Sequence, residues 1–354
     1  MTFTVSITPS GKTVSVDGET HILEAALKQG VVLPYGCKNG ACGSCKARIV
    51  AGEIIQDPHQ PSALSADEAT RGYALLCCAR AASDVTLEAR VVAAVGEIPI
   101  RKLPCRVSVI DKVTPDVIVL RLQLPASERL QYLAGQYIDL LLRDGTRRSY
   151  SMATAPGTAD GLELHVRHMP GGKFTDSAFG VVEPVLKVRD ILRLEGPLGT
   201  FFLREDGDKP IVMVASGTGF APIKAIVEHV RGLRETKGFE RPMTLYWGGR
   251  RPRDLYMNEL CERWAAEMPT FKYVPVVSDA LPEDGWRGRT GFVHHAAMAD
   301  LPDMSGVQVY ACGAPVVVDS SRDDFITRCG LPAEEFYADA FVTAADAAAA
   351  VGGP

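Results

Sequence analysis

The sequence predicts three domains of different classes in succession: a small mixed α and β domain, an antiparallel β-barrel and a doubly wound α/β domain. Three observations support this prediction. Short alternating strand patterns surround one helical pattern in residues 1–96, and turn-separated strand patterns fill residues 105–206. In residues 207–341, apolar strands alternate with helical patterns. A length of 354 residues suits two or three domains.

The first domain is predicted from a hairpin, a helix and two further strands. Residues 3–8 and 12–16 alternate apolar and polar side chains on either side of a Pro-Ser-Gly turn. Residues 20–29 place their apolar side chains on one helical face, and Gly30 ends that helix. Strand patterns follow at residues 46–50 and 83–88. Residues 97–104 are expected to be a linker, because their prolines oppose a regular element.

The change of pattern at Pro210 separates the barrel from the α/β domain. Before it, turn signals separate five predicted strands, at residues 106–111, 116–124, 137–142, 161–167 and 190–195. After it, Ile211–Ala215 is a continuous apolar run, which is typical of a buried parallel strand. Strands at 243–247, 271–277 and 307–312 alternate with four helices. Residues 342–354 have little to bury and are expected to be disordered.

Composition and charge exclude several classes of partner. The chain is 46% hydrophobic and 23% charged, which is ordinary for a water-soluble globular protein. Its net charge of −5 gives no indication of nucleic acid or an anionic membrane as a partner. The amino terminus lacks the basic and apolar segments of a signal peptide, and no apolar run is long enough to span a membrane. We therefore expect a cytoplasmic protein.

Four cysteines carry the most specific pattern in the chain. Cys37, Cys42 and Cys45 have the C-x4-C-x2-C spacing of plant-type 2Fe–2S proteins, and Cys77 is the expected fourth ligand. A tight loop supplies three thiolates and points backbone N–H groups at the cluster sulfides. Gly36, Gly40 and Gly43 are expected to supply the unusual φ angles of that loop.

Two other uses of these cysteines have to be weighed. Zinc sites usually contain two C-x2-C pairs, and this loop contains one. Disulfides are disfavoured because the chain has nine cysteines, an odd number, and no mark of secretion. No histidine shows ligand spacing, so none is assigned to a metal.

Two glycine motifs in the α/β domain predict a dinucleotide site. Gly217-Thr-Gly-Phe-Ala-Pro222 follows a buried strand and opens a helix, so its backbone can approach a pyrophosphate. Tyr310-Ala-Cys-Gly-Ala-Pro315 stands at another strand end, and ligands bind at the carboxyl ends of strands in open α/β sheets. The less favoured alternative for Cys312 is a small buried core residue.

Three motifs of the barrel region, followed by the two glycine motifs, resemble the ferredoxin–NADP reductase superfamily. These three motifs are Arg148-Ser-Tyr-Ser151, Gly171-Gly-Lys-Phe-Thr175 and Gly196-Pro-Leu-Gly-Thr-Phe201. With the cysteine loop in front, the chain resembles the reductase components of multicomponent bacterial oxygenases and the CDP-6-deoxy-delta-3,4-glucoseen reductase family. The resemblance covers the chain up to Phe341. It implies a β-grasp ferredoxin domain, a flavin-binding barrel and a nicotinamide domain.

The resemblance also implies roles for single residues. Arg148 would bind the flavin phosphate, Tyr150 would pack on the isoalloxazine, and Ser151 would hydrogen-bond near its N5 atom. Cys312 would lie by the nicotinamide, Arg250 by the adenosine half with Tyr256, and Phe341 against the flavin face as a gate. The residues expected to serve the two pyrophosphates are Gly171, Gly172, Lys173 and Thr175 for the flavin, and Gly217, Thr218, Gly219, Pro222 and Gly313 for the nicotinamide cofactor.

The implied function is electron transfer from NADH through FAD and a 2Fe–2S cluster to a partner protein. That partner would be a Rieske or diiron oxygenase or, alternatively, a deoxysugar dehydrase, and the sequence does not discriminate between them. NADPH in place of NADH, and FMN in place of FAD, stay open as well. A redox sensor without turnover is disfavoured, since a sensor has no need of the complete nicotinamide motifs.

Overall fold

The computed structural model describes residues 2–96, 98–157 and 161–342, and these divide into two compact units. The first contains residues 2–99 and 339–342, and the second contains residues 100–338. Apart from Val342, the tail predicted to be disordered lies outside the described residues. Across the described ranges, no helix is both long enough and apolar enough to cross a bilayer.

The first unit is built on a five-stranded mixed sheet, ordered β2-β1-β7-β3-β5, with a two-stranded ribbon of β4 and β6. Its elements are β1 (Thr2–Thr8), β2 (Lys12–Asp17), α1 (Ile22–Lys28), β3 (Lys46–Ala51), β4 (Ile54–Gln56), α2 (Ala66–Thr70), β5 (Tyr73–Leu75), β6 (Ala79–Ala81), β7 (Val85–Glu88) and α3 (Ala93–Gly96). β1 pairs antiparallel with β2 and parallel with β7. Alternate side chains of β1 and α1's apolar face are buried, which produces the predicted β-grasp core.

The second unit begins with a six-stranded antiparallel sheet, ordered β11-β10-β13-β8-β9-β12. Its elements are β8 (Arg101–Thr114), β9 (Val117–Gln123), β10 (Tyr137–Leu141), β11 (Arg147–Ser151), β12 (Gly161–Arg167), α4 (Lys173–Ala178) and β13 (Ile191–Leu198). An antiparallel bridge between Met152 and Leu164 joins the two outer strands, so the sheet closes on itself. Alternate apolar side chains of all these strands meet in one buried core, as a small barrel requires.

The expected linker is shorter than predicted, because β8 already begins at Arg101. Pro104 is opposite Arg193 of β13, whereas β9 pairs with β8 only from Arg106 onwards. A proline fits a strand segment that has a neighbour on one side, since its missing N–H can point away from that neighbour. The prolines of this segment therefore did not prevent a regular element.

A second six-stranded sheet follows, ordered β17-β16-β15-β14-β18-β19. Its elements are β14 (Ile211–Ser216), α5 (Phe220–Lys237), β15 (Met243–Gly249), α6 (Asn258–Glu267), β16 (Phe271–Val277), β17 (Arg289–Thr290), α7 (Val293–Asp300), β18 (Gln308–Gly313), α8 (Pro315–Cys329) and β19 (Phe336–Ala340). β14 pairs parallel with both β15 and β18, so the strand order reverses beside it. The predicted fold class, including the doubly wound α/β part, is confirmed. The carboxyl end of β14 is the switch point at which such sheets bind ligands.

Candidate functional site

The cysteine loop of the first unit brings the four predicted ligand sulfurs into contact in pairs. The backbone N–H of Cys37 donates to the Sγ of Cys42 at 3.4 Å, and the N–H of Gly40 donates to the Sγ of Cys77 at 3.3 Å. Cys42, Cys45 and Cys77 are buried, and Cys37 is half-buried. Backbone donors aimed at sulfur stabilise negative charge there, so the loop suits a thiolate-bound metal group.

Proton affinities in this loop reflect the crowding of the sulfurs. A hydrogen bond between the Cys37 and Cys42 thiols lowers the pKa of Cys42 to about 5 and raises that of Cys37. A hydrogen bond to Cys45 is the main cause that raises the pKa of Cys77. Iron ions would replace the thiol protons as the positive partners, and a coordinating thiol is deprotonated outright. Two pairs of contacting thiols, Cys37 with Cys42 and Cys45 with Cys77, together with backbone donors, therefore fit a 2Fe–2S group.

The loop's shape depends on three residues with positive φ, namely Lys38 at 61°, Gly40 at 76° and Gly43 at 71°. Gly36 is not among them, so the expectation that it supplies an unusual φ angle was wrong. Gly36 instead leaves room for a neighbouring sulfur, since a Cβ at this position would lie 3.3 Å from the Sγ of Cys42. Gly40 needs both properties, because an added Cβ would lie 2.8 Å from the Sγ of Cys78.

In the barrel, the structure brings two of the predicted flavin motifs together. Arg148, Tyr150 and Ser151 belong to β11 itself, instead of following a strand. The ring of Tyr150 packs on Phe174 in the first turn of α4, with 5.6 Å between centroids. The Nζ of Lys173 reaches the carboxylate of Asp144, in the turn before β11, at 2.6 Å. The guanidinium of Arg148 donates to the carbonyl of Arg147 at 2.7 Å and is half-exposed, so an anion can reach it.

The Gly171–Thr175 segment differs in detail from the prediction. The N–H of Gly171 donates to the carboxylate of Asp176 at 3.1 Å, and that of Gly172 donates to the carbonyl of Met169 at 2.8 Å. The hydroxyl of Thr175 also donates to Met169. These groups hold the loop closed, and Lys173 is occupied by its ion pair. The N–H groups that α-helix geometry leaves for a phosphate are those of the first turn of α4.

In the α/β part, the two glycine motifs touch each other. Gly217–Gly219 form a short 3₁₀ turn between β14 and α5, with Pro222 in the helix's first turn. A Cβ added at Gly219 would lie 2.2 Å from the carbonyl oxygen of Cys312, and one added at Gly313 would lie 2.2 Å from the Oγ of Ser216. Both glycines are therefore required for the close approach of two neighbouring strand ends.

Trp247 and Tyr256 support the Gly217 turn and the barrel. The buried indole of Trp247 donates from Nε1 to the carbonyl of Gly217 at 3.0 Å. The hydroxyl of Tyr256 lies 2.8 Å from the Nδ1 of His165 in β12, so Tyr256 contacts the barrel. This contact is not the adenosine contact that the resemblance implied for Tyr256. Arg250 is exposed, and its guanidinium lies 3.6 Å from Asp254 and 3.7 Å from Asp116.

A buried polar cluster between the barrel and α5 was missed by the sequence analysis. The Nζ of Lys224 lies 3.2 Å from Glu163, 2.7 Å from Glu228 and 3.1 Å from the carbonyl of Ala153. Glu163 also contacts the Nε2 of His165 at 3.1 Å. Burial alone would raise the pKa of Glu163, but these partners outweigh burial and lower it to about 2. The only available signal was the apolar–polar alternation of β12, which does not name a partner.

The other predicted residues have plainer surroundings. Cys312 and Ser151 are buried, Thr218 is buried in its turn, and Phe341 is half-buried directly after β19. Their roles toward the cofactors stay predictions.

Comparison with known proteins identifies three family models along the chain. A 2Fe-2S iron-sulfur cluster binding domain matches residues 5–82, an oxidoreductase FAD-binding domain matches residues 104–203, and an oxidoreductase NAD-binding domain matches residues 213–323. The CDP-6-deoxy-L-threo-D-glycero-4-hexulose-3-dehydrase reductase of Yersinia pseudotuberculosis is 42% identical, over 97% of this chain and 99% of its own. The chain belongs to this family of iron–sulfur flavoprotein reductases.

Other members of this reductase family are similar over nearly the same length. Terephthalate 1,2-dioxygenase reductase component 1 of Comamonas is 35% identical over 91% of this chain and 92% of its own. The crystal structure of the Amycolatopsis cytochrome P450 reductase GcoB superimposes with a TM-score of 0.73 at 33% identity, covering 96% of this chain and 99% of that chain. The predicted 2Fe–2S cluster, FAD and nicotinamide cofactor are thereby confirmed for this reductase, as is its class as an electron-transfer oxidoreductase.

Proposed function

We propose that this reductase takes electrons from NADH and delivers them singly to a partner protein that completes a reductive or oxidative reaction. The observation that supports this proposal most is the 42% identity over 99% of the length of the Yersinia reductase, together with the two pairs of contacting thiols in the cysteine loop. Bound FAD and the bound cluster supply hydride acceptance and one-electron transfer. The chain's own residues hold and orient these groups.

In the first unit, Cys37, Cys42, Cys45 and Cys77 are the proposed cluster ligands. The donation of the Gly40 N–H to the Sγ of Cys77 supports Cys77 over its neighbour, Cys78. The N–H groups of the loop stabilise the ligand sulfurs, which makes the added negative charge of reduction easier to accept.

In the barrel, Arg148 is proposed to bind the flavin phosphate, because its guanidinium is half-exposed and shaped for phosphate oxygens. Tyr150 would present its ring to the isoalloxazine, and Ser151 would hydrogen-bond near N5. The first turn of α4, with Gly171, Gly172, Lys173 and Thr175 shaping its approach, would offer N–H donors to the pyrophosphate.

In the α/β part, Gly217, Thr218 and Gly219 would approach the pyrophosphate of NADH, while Gly313 and Pro222 shape the two strand ends around it. Cys312 would lie by the nicotinamide, Arg250 by the adenosine half, and Phe341 would act as the gate over the flavin. NADH is proposed over NADPH because Arg250 already faces two carboxylates, which leaves it less suited to a 2′-phosphate.

For the partner, we propose a dehydrase that acts on a nucleotide-linked deoxysugar. Support comes from identity, which is 42% to the dehydrase reductase and 35% to the dioxygenase reductase component. A terminal oxygenase is the second candidate, because reductases of that kind match over 91% of the chain. None of the described cysteines is in a disulfide, which suits the reducing cytoplasm proposed as its location.

An anaerobic titration tests the electron path first. NADH added to the purified holoprotein is expected to bleach the flavin band and to produce the low-temperature EPR signal of a reduced 2Fe–2S cluster. Reduction by NADPH and not by NADH would overturn the donor, and reduction by neither would overturn the proposed function. The partner is then tested by NADH oxidation with a purified hexulose dehydrase and its sugar nucleotide, against a terephthalate dioxygenase. Faster oxidation with the dioxygenase would overturn the dehydrase assignment.

A further inference from the structure

Two consecutive histidines and one aspartate lie close together in the α/β part, away from the cysteine loop and the glycine motifs in sequence. His294 and His295 are in the first turn of α7, and Asp324 is in α8. One ligand atom from each of the three lies within 4.8 Å of the other two. Imidazole and carboxylate together form a common donor set for zinc and related divalent ions.

The distances in this cluster are wrong for hydrogen bonds and suitable for shared coordination. The Nε2 of His294 lies 3.4 Å from the Oδ2 of Asp324, and the Nε2 of His295 lies 3.8 Å from the same oxygen. Hydrogen bonds between such groups are usually about 2.7–3.2 Å long. Two ligand atoms each about 2.0–2.1 Å from a tetrahedral zinc ion are about 3.3 Å apart. The first pair already has this separation, and the second needs a shift of a few tenths of an ångström.

Burial makes His294 the informative member of the cluster. Its exposed fraction is 6%, and within the described part of the chain its Nδ1 has no hydrogen-bond partner. A buried imidazole without a good hydrogen bond is costly, and an ion on Nε2 would give the ring one strong polar partner, while its Nδ1 stays unpaired. His295 remains accessible, with 56% of its side chain exposed.

The carboxylate of Asp324 is oriented from its other side. The guanidinium of Arg328, one helical turn further along α8, lies 3.0 Å from Oδ1. That contact leaves Oδ2 directed at the two imidazoles. Carboxylates that ligate metals are themselves commonly held by such an outer hydrogen bond.

We propose that His294, His295 and Asp324 bind one divalent transition-metal ion of the zinc class, with water completing a tetrahedral shell. The site shares no residue with the proposed cofactor sites, and it joins α7 to α8. Val293, the first residue of α7, packs against Gly248 at the end of β15, where a Cβ on the glycine would lie 2.9 Å from the valine Cβ. The ion would therefore brace the helix that supports the nucleotide-facing end of the sheet.

Isothermal titration of the chelator-washed holoprotein with Zn²⁺ tests this proposal. We expect saturable binding of one equivalent and a higher melting temperature with zinc present, while the iron content stays unchanged. His295→Ala and Asp324→Asn should each weaken zinc binding on the order of tenfold or more, since even outer-shell changes cost that much. Both variants alter accessible side chains, so the flavin spectrum should be unchanged.

His229→Ala is the matched control, because His229 lies 2.8 Å from Glu205 in a pair made of one histidine and one carboxylate. It should bind zinc as the unaltered protein does. The proposal is overturned if the holoprotein shows no saturable zinc binding, or if His295→Ala and Asp324→Asn bind zinc as tightly as His229→Ala. Loss of iron on zinc addition would also overturn it, because the ion would then be occupying the cysteine loop.

Discussion

Replacement of Gly219 by alanine tests whether the contact between the two glycine motifs determines nucleotide binding. Gly219 has φ of −57° and ψ of −13°, which alanine adopts without strain. The new methyl group would nevertheless lie 2.2 Å from the carbonyl oxygen of Cys312 and 2.7 Å from the Cα of Gly313. Both neighbours are backbone atoms, so a side-chain rotation cannot relieve the clash.

The magnitude follows from that geometry. The turn and the end of β18 must separate by about 1 Å before the contact is tolerable, and overpacking of this kind costs about 1–3 kcal/mol. We expect the upper part of that range for the free energy of unfolding. Because the same displacement moves both pyrophosphate-facing strand ends, we expect KM for NADH to rise about tenfold or more, equivalent to about 1.4 kcal/mol.

Two measurements check this expectation. Urea unfolding can be followed by tryptophan fluorescence, since Trp247, Trp264 and Trp286 all belong to the second unit. NADH-dependent ferricyanide reduction gives KM without a partner protein. Gly232→Ala is the control: a Cβ there meets nothing within 4 Å, and helix propensity predicts a gain of about 0.5–1 kcal/mol. If Gly219→Ala had unaltered KM and stability, the two motifs would not depend on their contact.

Three further predictions concern separate features. Cys77→Ala should lose the 2Fe–2S EPR signal and most of the iron, whereas Cys78→Ala should keep both. The opposite pattern would mean that Cys78, and not Cys77, is the fourth ligand. Glu163→Gln should destabilise the second unit most near pH 7. The pKa of Glu163 is lowered to about 2 on folding, so its contribution is present above its ordinary pKa and is lost as the pH falls towards 2. The urea midpoints of the unaltered protein and of Glu163→Gln are measured at pH 7 and at pH 3. A difference between the two proteins that is the same at both pH values would contradict this expectation. Trp247→Phe leaves the carbonyl of Gly217 without its hydrogen-bond donor. We therefore expect the free energy of unfolding to fall by about 1–2 kcal/mol. KM for NADH should rise, and kcat is measured with it for comparison.

The features that the sequence predicts well are those encoded locally. The spacing of Cys37, Cys42 and Cys45 is determined by one loop, and the strand–glycine–helix pattern at Gly217 is local as well. Periodicity predicts the strands of the barrel and the alternation of the α/β part because each element must bury one face. These local signals were sufficient for the fold class, the cluster and the dinucleotide site, and the family resemblance added FAD.

The features that the sequence could not give depend on residues that are distant along the chain. Gly219 and Cys312 meet only because β14 and β18 are neighbours in the sheet. The Gly171 N–H is taken by Asp176, a choice made by the conformation of one loop. His294 acquires a carboxylate partner from a different helix, and no spacing rule covers that pair.

The polar cluster around Lys224 has a consequence for protein engineering. On the barrel side, Glu163 pairs with Lys224 and His165 pairs with Tyr256 of the α/β side. Because hydrogen bonds and ion pairs are directional, only a lysine and a tyrosine in these places match the two barrel residues. A chimera that takes its barrel from a relative with other residues at these positions would bury an uncompensated charge, at about 3–5 kcal/mol. Exchange between reductases should therefore transfer the four residues as a set, even though none of them belongs to a cofactor motif.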